Sequence, residues 1–277
     1  MRCRSKTIGR HTLSLGGEMS LDKDIQVTDL DNFGVFSFAT SAPDTTKNAL
    51  ADFVTGRPAT MEQDSIDEAL ANSWYYAFFA QDDFRVNSRL TLNLGLRYDF
   101  QTPPTDNGQN RELTFKPGVQ STLLPQAPKG LLFAGDPGVP AGTVGLKLHH
   151  VSPRVGLALD PFGDGKTSLR AAFGVFYGAV GGNEWEATSN GVPFALRQVY
   201  ASIASLTNVY GNPASFPTGD PFPYVYNPKS AIFLPNSQVI GTAPNFQWPY
   251  SYQVNTSVQR ALPGNASVTV AYVGVHP

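Results

Sequence analysis

Residues 89–100 read RLTLNLGLRYDF, and the alternation in this stretch decides the fold. Leu90, Leu92, Leu94, Leu96, Tyr98 and Phe100 share one parity, while Arg89, Thr91, Asn93, Gly95, Arg97 and Asp99 share the other. On a helix the leucines would spread around every face. On a strand, where side chains alternate with a period of two, they form one apolar and one polar or small face. Such a strand separates two environments.

The pattern recurs along the chain. His11, Leu13, Leu15, Gly17, Met19 and Leu21 alternate with Thr12, Ser14, Gly16, Glu18 and Ser20. WYYAFFAQDDFRV at 74–86 begins almost entirely aromatic and then turns amphipathic. Further alternating runs give seven expected strands, near 10–21, 74–85, 89–100, 151–160, 167–178, 249–260 and 266–274. Only MEQDSIDEALA at 61–71 reads as a short loop helix.

The connections between these strands alternate strictly. Residues 22–73, 101–150 and 179–248 are long and rich in Pro and Gly, whereas 86–88, 161–166 and 261–265 are short. One end of the sheet is therefore trimmed and the other elaborated. Transmembrane barrels have this asymmetry, with short periplasmic turns and long extracellular loops. Twelve residues at about 3.3 Å each, tilted by ~40 to 45°, rise roughly 28 to 30 Å, enough for the apolar band of an outer-membrane barrel. Trp74 to Tyr76, Tyr98, Phe100, Tyr177 and Trp248 to Tyr252 cluster at the long-loop end, where rings form an interfacial girdle; strands also favour aromatic residues in general.

Composition agrees with a strand-and-loop protein. Charged residues make up 15% of the 277, below the roughly 25% usual in soluble domains. A net charge of -2 leaves no electrostatic footprint for nucleic acid. Cys3 is the only cysteine, so no intramolecular disulfide or cysteine metal cluster forms. The first 20 residues lack the apolar core of a signal peptide, which taken alone points to the cytoplasm. The strands point elsewhere. Seven is odd where single-chain bacterial barrels have even numbers, and lipid forbids an open sheet edge, so further strands are expected beyond both ends. The expected fold is all-β: a partial antiparallel transmembrane β-barrel spanning residues 1–277, without plug or signal peptide.

YYAFFAQDDFRVNSRLTLNLGLRYDF, SPRVGLALDPFGDGKTSLRAAFGVFY and SYQVNTSVQRALPGNASVTVAYVGV resemble the barrel of TonB-dependent outer-membrane receptors, most closely the Oar-like group with its carboxypeptidase-regulatory-like domain. GRHTLSLGGEMS and NALADFVTGRPAT are similar to further stretches of that barrel. The resemblance implies 22-stranded barrels with a plugged lumen, located in the outer membrane of a Gram-negative bacterium. It further implies active uptake of a bulky ligand, such as a siderophore or oligosaccharide, with energy from a TonB-type periplasmic coupling protein. The alternatives are a passive porin or surface-binding barrel, and a soluble secreted carbohydrate-binding β-protein.

Motifs for other chemistries are weak. GDGKT at 163–167 ends like a phosphate loop, but the required earlier glycine is Asp160 and the segment joins two strands. His149 and His150 are vicinal, so an extended chain points them to opposite faces, a poor metal pair. Asp29, Asp31 and Asn32, or Asp82 and Asp83, lack EF-hand spacing. Asn255 and Asn265 head glycosylation sequons but fall in a strand and a tight turn. No nucleophile, base and acid set is recognisable, so no enzyme, metal or cofactor is expected.

The strongest binding candidate is the third long loop, where residues 211–250 hold eight prolines. Proline stiffens the loop, and rigid aromatic surface binds ring-bearing ligands at little ordering cost. Phe222, Tyr224, Tyr226 and Trp248 are the expected ligand contacts; the same rings also suit packing of the loop against itself. The assignment of faces is directly testable. Near the bilayer midplane Leu94→Arg should cost ~2 to 4 kcal/mol and Asn93→Arg far less, measured by denaturant unfolding in vesicles. Equal costs would contradict it.

Overall fold

The computed structural model describes residues 2–277 apart from 29–30, 41–44, 107–110, 182–184, 186–187, 190, 202, 204 and 234–238. Its main element is an eight-stranded antiparallel sheet. In spatial order the strands are β1 (Arg2–Ile8), β2 (His11–Thr28), β5 (Asp67–Arg85), β6 (Leu90–Gln101), β9 (Val151–Leu159), β10 (Thr167–Tyr177), β12 (Tyr250–Leu262) and β13 (Ala266–His276). Between them lie β3 (Val35–Ser37), α1 (Ala49–Val54), β4 (Thr60–Asp64), β7 (Leu113–Phe115), β8 (Leu131–Phe133) and β11 (Arg197–Ala201). The sheet is not closed: β1 and β13 form its two edges.

All seven expected strands are present. The register carries the alternation of each into its neighbours. Leu92 faces Phe84 and Leu157, Leu94 faces Asp82 and Val155, and Leu96 faces Ala80 and Pro153. Beyond them, Phe173 faces Val155 on one side and Val254 on the other. A one-residue slip anywhere would invert a strand, so this agreement fixes one apolar face from β2 to β13. The other face carries Glu18, Asp83, Asn93, Arg97, Asp99, Arg154, Arg170, Gln253 and Asn255 in register.

Three expectations need correction. An eighth strand, β1, precedes the expected first one and pairs with β2 through a turn at Gly9, whose φ is +59°. Both parities of β1 are polar, and Arg2, Arg4 and Lys6 fall in register with Gly17, Leu15 and Leu13, so no apolar alternation marks it. The strand that the sequence reading placed first is thus second. Residues 61–71 are not helical: they form β4 and the start of β5, while the described loop helix is α1, where Asn48 accepts from the amides of Leu50 and Ala51. Finally, β2 and β5 run well past the other strands, pairing out to Thr28 and Asp67.

The girdle is visible as ring contacts at the long-loop end. Tyr76 stacks on Phe100 at 5.0 Å, Trp74 lies 6.1 Å from Tyr76, and Tyr250 lies 5.9 Å from Tyr177 and 5.5 Å from Tyr252. At the other end the turns are tight. Asp160 accepts from the amides of Gly163 and Gly165, at 2.9 and 2.8 Å, so the glycine amides that a phosphate would need are satisfied by a carboxylate of the same turn. Asn265 adopts a φ of +60° in the last turn.

One carboxylate stands in the apolar row. Asp82 lies between Leu13 and Leu94, and His11 Nδ1 approaches its Oδ2 to 2.7 Å while the imidazole stacks on Phe84 at 4.3 Å. Removing either partner of such a pair strands the other, whereas replacing both by apolar residues does not. In vesicle unfolding experiments, His11→Ala should therefore cost about 1 to 3 kcal/mol, while the double replacement His11→Leu with Asp82→Leu should be neutral or stabilising. The reverse order would place this row away from lipid.

Candidate functional site

Two features stand out as capable of binding: the polar face of the wall and the cap built by the long loops. On the polar face, side chains bond across strands. Asn93 donates to Asp83 at 2.6 Å; Arg97 donates to the Tyr75 hydroxyl at 2.9 Å, and that hydroxyl donates to Asp99 at 2.8 Å. Glu18 lies 3.9 Å from Arg97. Gln101 makes a two-way amide pair with the backbone of Val180, tying the start of the third loop to β6.

Glycines carve the middle of this face. A Cβ on Gly16 would fall 2.3 Å from the Phe79 ring, and one on Gly174 would fall 2.8 Å from the Phe176 ring and 3.3 Å from Arg154 Cγ. The rings therefore fill the space that a side chain at either glycine would need. Arg154 stretches over this floor with its guanidinium carbon 4.5 Å from the centre of Phe176. A cavity of about 240 Å³ opens beside it.

The three long connections do not hang separately; they interlock. β4 of the first pairs with β11 of the third and with β3, making a three-stranded sheet. Under it Met61, Tyr200, Ile203 and Phe216 form a buried cluster, and Tyr210 donates to Gln63 at 2.9 Å. The second and third loops share another core of Leu113, Leu124, Leu131, Phe133 and Phe194. Thr242 locks the same two loops, donating its amide to Leu113 at 2.9 Å and accepting from Thr114 at 2.7 Å. In the second loop, burial pushes the Asp136 carboxyl up, but hydrogen bonds from the Phe133 amide, the Ser121 hydroxyl and the Thr122 and Leu123 amides outweigh it and hold the group below its ordinary range.

The four expected ligand contacts lie in this cap in different settings. Phe222 is half-buried. Tyr224, also half-buried, donates its hydroxyl to the Pro193 carbonyl. Tyr226 packs edge-on against Phe194 at 4.9 Å, at the border of the second core. Trp248 is only 4% exposed, held between Phe246 and His150 at 5.8 and 5.7 Å. His150 itself stacks on Tyr177 at 4.6 Å and is buried. Asp29 lies outside the described residues, and among those described no cluster of acids, His and Cys suits a metal. Sequence reasoning missed Arg154 and the glycine floor because their meaning depends on cross-strand register.

The cap carries a pH signature. Burial, reinforced by the neighbouring Tyr210 and Asp220, pushes the Tyr200 hydroxyl up to about 12, and burial with Tyr226 nearby does the same for Tyr224. Because unfolded tyrosines ionise near 10, this stability is complete below pH 10 and is lost as pH rises toward about 12. Phenolate absorbance should show at least two late-titrating tyrosines whose ionisation accompanies loosening of the cap, and Tyr200→Phe should remove one of them. Titration of every tyrosine near 10 would contradict this burial.

The geometry agrees with comparison to known proteins. The family model for an outer membrane beta barrel domain matches residues 4–277, nearly the whole chain. No curated protein matches it. The match sets aside the soluble secreted reading and gives the apolar face its environment, the lipid of the outer membrane, with the polar face turned to the lumen. The chain belongs to the outer membrane beta barrel domain family and forms part of a barrel wall in the outer membrane.

Proposed function

We propose that this wall belongs to a TonB-dependent transporter of the Oar-like group, which takes up a bulky ligand such as a siderophore or oligosaccharide. The observation that carries the reading is the interlocked cap: two shared cores and a three-stranded sheet join all three long loops at one end of the wall. A passive pore needs an open mouth. Long loops packed into one folded unit at that end suit a solute that is first captured and then admitted by an energised step. The resemblance of the strand sequences to that barrel supports the same conclusion, and a TonB-type periplasmic protein is the proposed source of energy. No catalytic step is proposed for these residues.

Within the cap, Phe222, Tyr224 and Tyr226 are proposed to touch the ligand through the parts of their rings left open. Contact with Trp248 requires the cap to part. A surface-binding barrel is the second reading, favoured by apolar side chains that the first loop leaves in solvent: Phe33 is 92% exposed, and Leu50, Phe53 and Val54 are also exposed.

Solute accumulation by cells expressing the full-length protein separates these readings. Collapsing the proton gradient, or deleting the coupling protein, should abolish accumulation while surface binding persists. Phe222→Ala should weaken surface binding severalfold without changing the amount of folded protein. Accumulation that ignores the gradient would support a passive pore, and binding with no accumulation at all would support the surface-binding barrel.

A further inference from the structure

A charged joint fastens the second loop to the wall. β5 runs past its last pairing with β6, Tyr75 with Gln101, and its extension begins at Asp67. The second loop lies along this extension. Thr105 and Asn72 exchange backbone hydrogen bonds at 3.0 Å, and the Leu70 amide donates to Asp106 at 3.2 Å. Arg111 of the same loop then reaches back to the strand. Its Nη1 donates to Asp67 at 2.7 Å, and its Nη2 to the Glu68 carbonyl and, at 3.1 Å, to Asp106, whose other oxygen accepts from Nε. Glu112, the next residue, accepts from the Asp106 amide.

Charge at this joint does not balance. Asp67, Asp106 and Glu112 set three carboxyls beside the single guanidinium of Arg111, and all four residues are buried. Asp67 Oδ2 and Glu112 Oε2 are enclosed without a hydrogen-bond partner. An ionised oxygen in that setting is costly, and a proton removes the charge. Burial pushes the Asp67 and Glu112 carboxyls above their ordinary range; Asp106 adds to the push on each, while Arg111 and nearby backbone amides pull the other way without cancelling it. Among the described residues, the charged side chains acting on these two carboxyls are Arg111 and Asp106.

The joint also carries the rest of the cap. Glu112 precedes Leu113, which lies in the core shared by the second and third loops and accepts the Thr242 amide. Whatever holds Arg111 and Glu112 against β5 therefore holds that core against the wall.

We propose that Asp67, Asp106, Arg111 and Glu112 form a proton-operated latch that fastens the cap to the wall in acid and loosens as pH rises. The closed joint binds protons more tightly than an opened, hydrated one, in which both carboxyls titrate in their ordinary range. Closure is therefore favoured most at and below that range, and the advantage is lost as pH climbs through the raised values. Above them Asp67, Asp106 and Glu112 repel one another around one cation. This window lies on the acid side, far from that of the buried tyrosines. The latch would govern the cap whatever energises uptake, so it goes beyond the transport reading and does not depend on it.

The test is the distance between two spin labels on the full-length protein in vesicles, with Cys3 replaced by serine. One label replaces Lys23 on β2, opposite Asn72, and the other Lys116 in the second loop; both lysines are exposed. From about pH 4 to about pH 8 the population at longer distance should grow severalfold. Asp67→Asn combined with Glu112→Gln, which makes both groups permanently neutral, should keep the short distance throughout, and each single replacement should retain part of the response. Arg111→Gln should lengthen the distance at every pH. Folding of each variant is confirmed by heat-modifiable gel mobility. A distance that ignores pH in the otherwise unaltered chain, or a pH response that survives the neutral double replacement, would overturn the latch. The double replacement should tighten the joint, so its failure to fold would count against the latch as well.

Discussion

Inside a bilayer a backbone amide has no water to bond with, and every other feature of this chain follows from that constraint. A strand can enter lipid only with a partner on each side, so register must be kept strand after strand. Because side chains alternate, one register decision fixes which half of every strand meets lipid. Leu94 opposite Asp82 and Val155, and Phe173 opposite Val155 and Val254, are consequences of that single rule. Within β5 the carboxylate of Asp82 obeys it too, since His11 covers it where the row cannot tolerate it bare.

The same alternation frees the opposite face for chemistry. Residues there need only suit a hydrated lumen, so they can be acids, amides, arginines or nothing at all. Glycines use this freedom in a specific way, letting Phe79 and Phe176 fill the space a side chain there would need and letting Arg154 reach across. Structure at the two ends divides similarly. Short turns such as Asp160–Gly165 close on themselves, whereas the long loops gain enough apolar surface to build shared cores.

The wall was largely legible in the sequence, because period-two alternation is a local signal. Seven strands, the asymmetry of the connections and the girdle rings all follow from residues close together in the chain. β1 escaped because Arg2, Arg4 and Lys6 occupy the parity where apolar residues were sought. The helix expected at 61–71 failed for a different reason. Met61 pairs with Tyr200, and this distant strand overrides what MEQDSIDEALA prefers alone. The cap core of Leu113, Phe133 and Phe194, and the meeting of Arg154 with Gly174 and Phe176, depend on such distant pairings throughout. The aromatic third loop was visible as a candidate, but which of its rings face outward was not.

The central claim is that β6 presents alternate residues to lipid and to water. Spin labels placed singly at positions 90 to 100 of the membrane-inserted full-length protein, with Cys3 replaced by serine, measure this directly. Collision rates with oxygen, which concentrates in lipid, and with a water-soluble nickel complex should alternate with a period of two. Oxygen should win at 90, 92, 94 and 96 and nickel at 91, 93, 95 and 97. Uniform access, a period near 3.6, or the opposite phase would contradict the account.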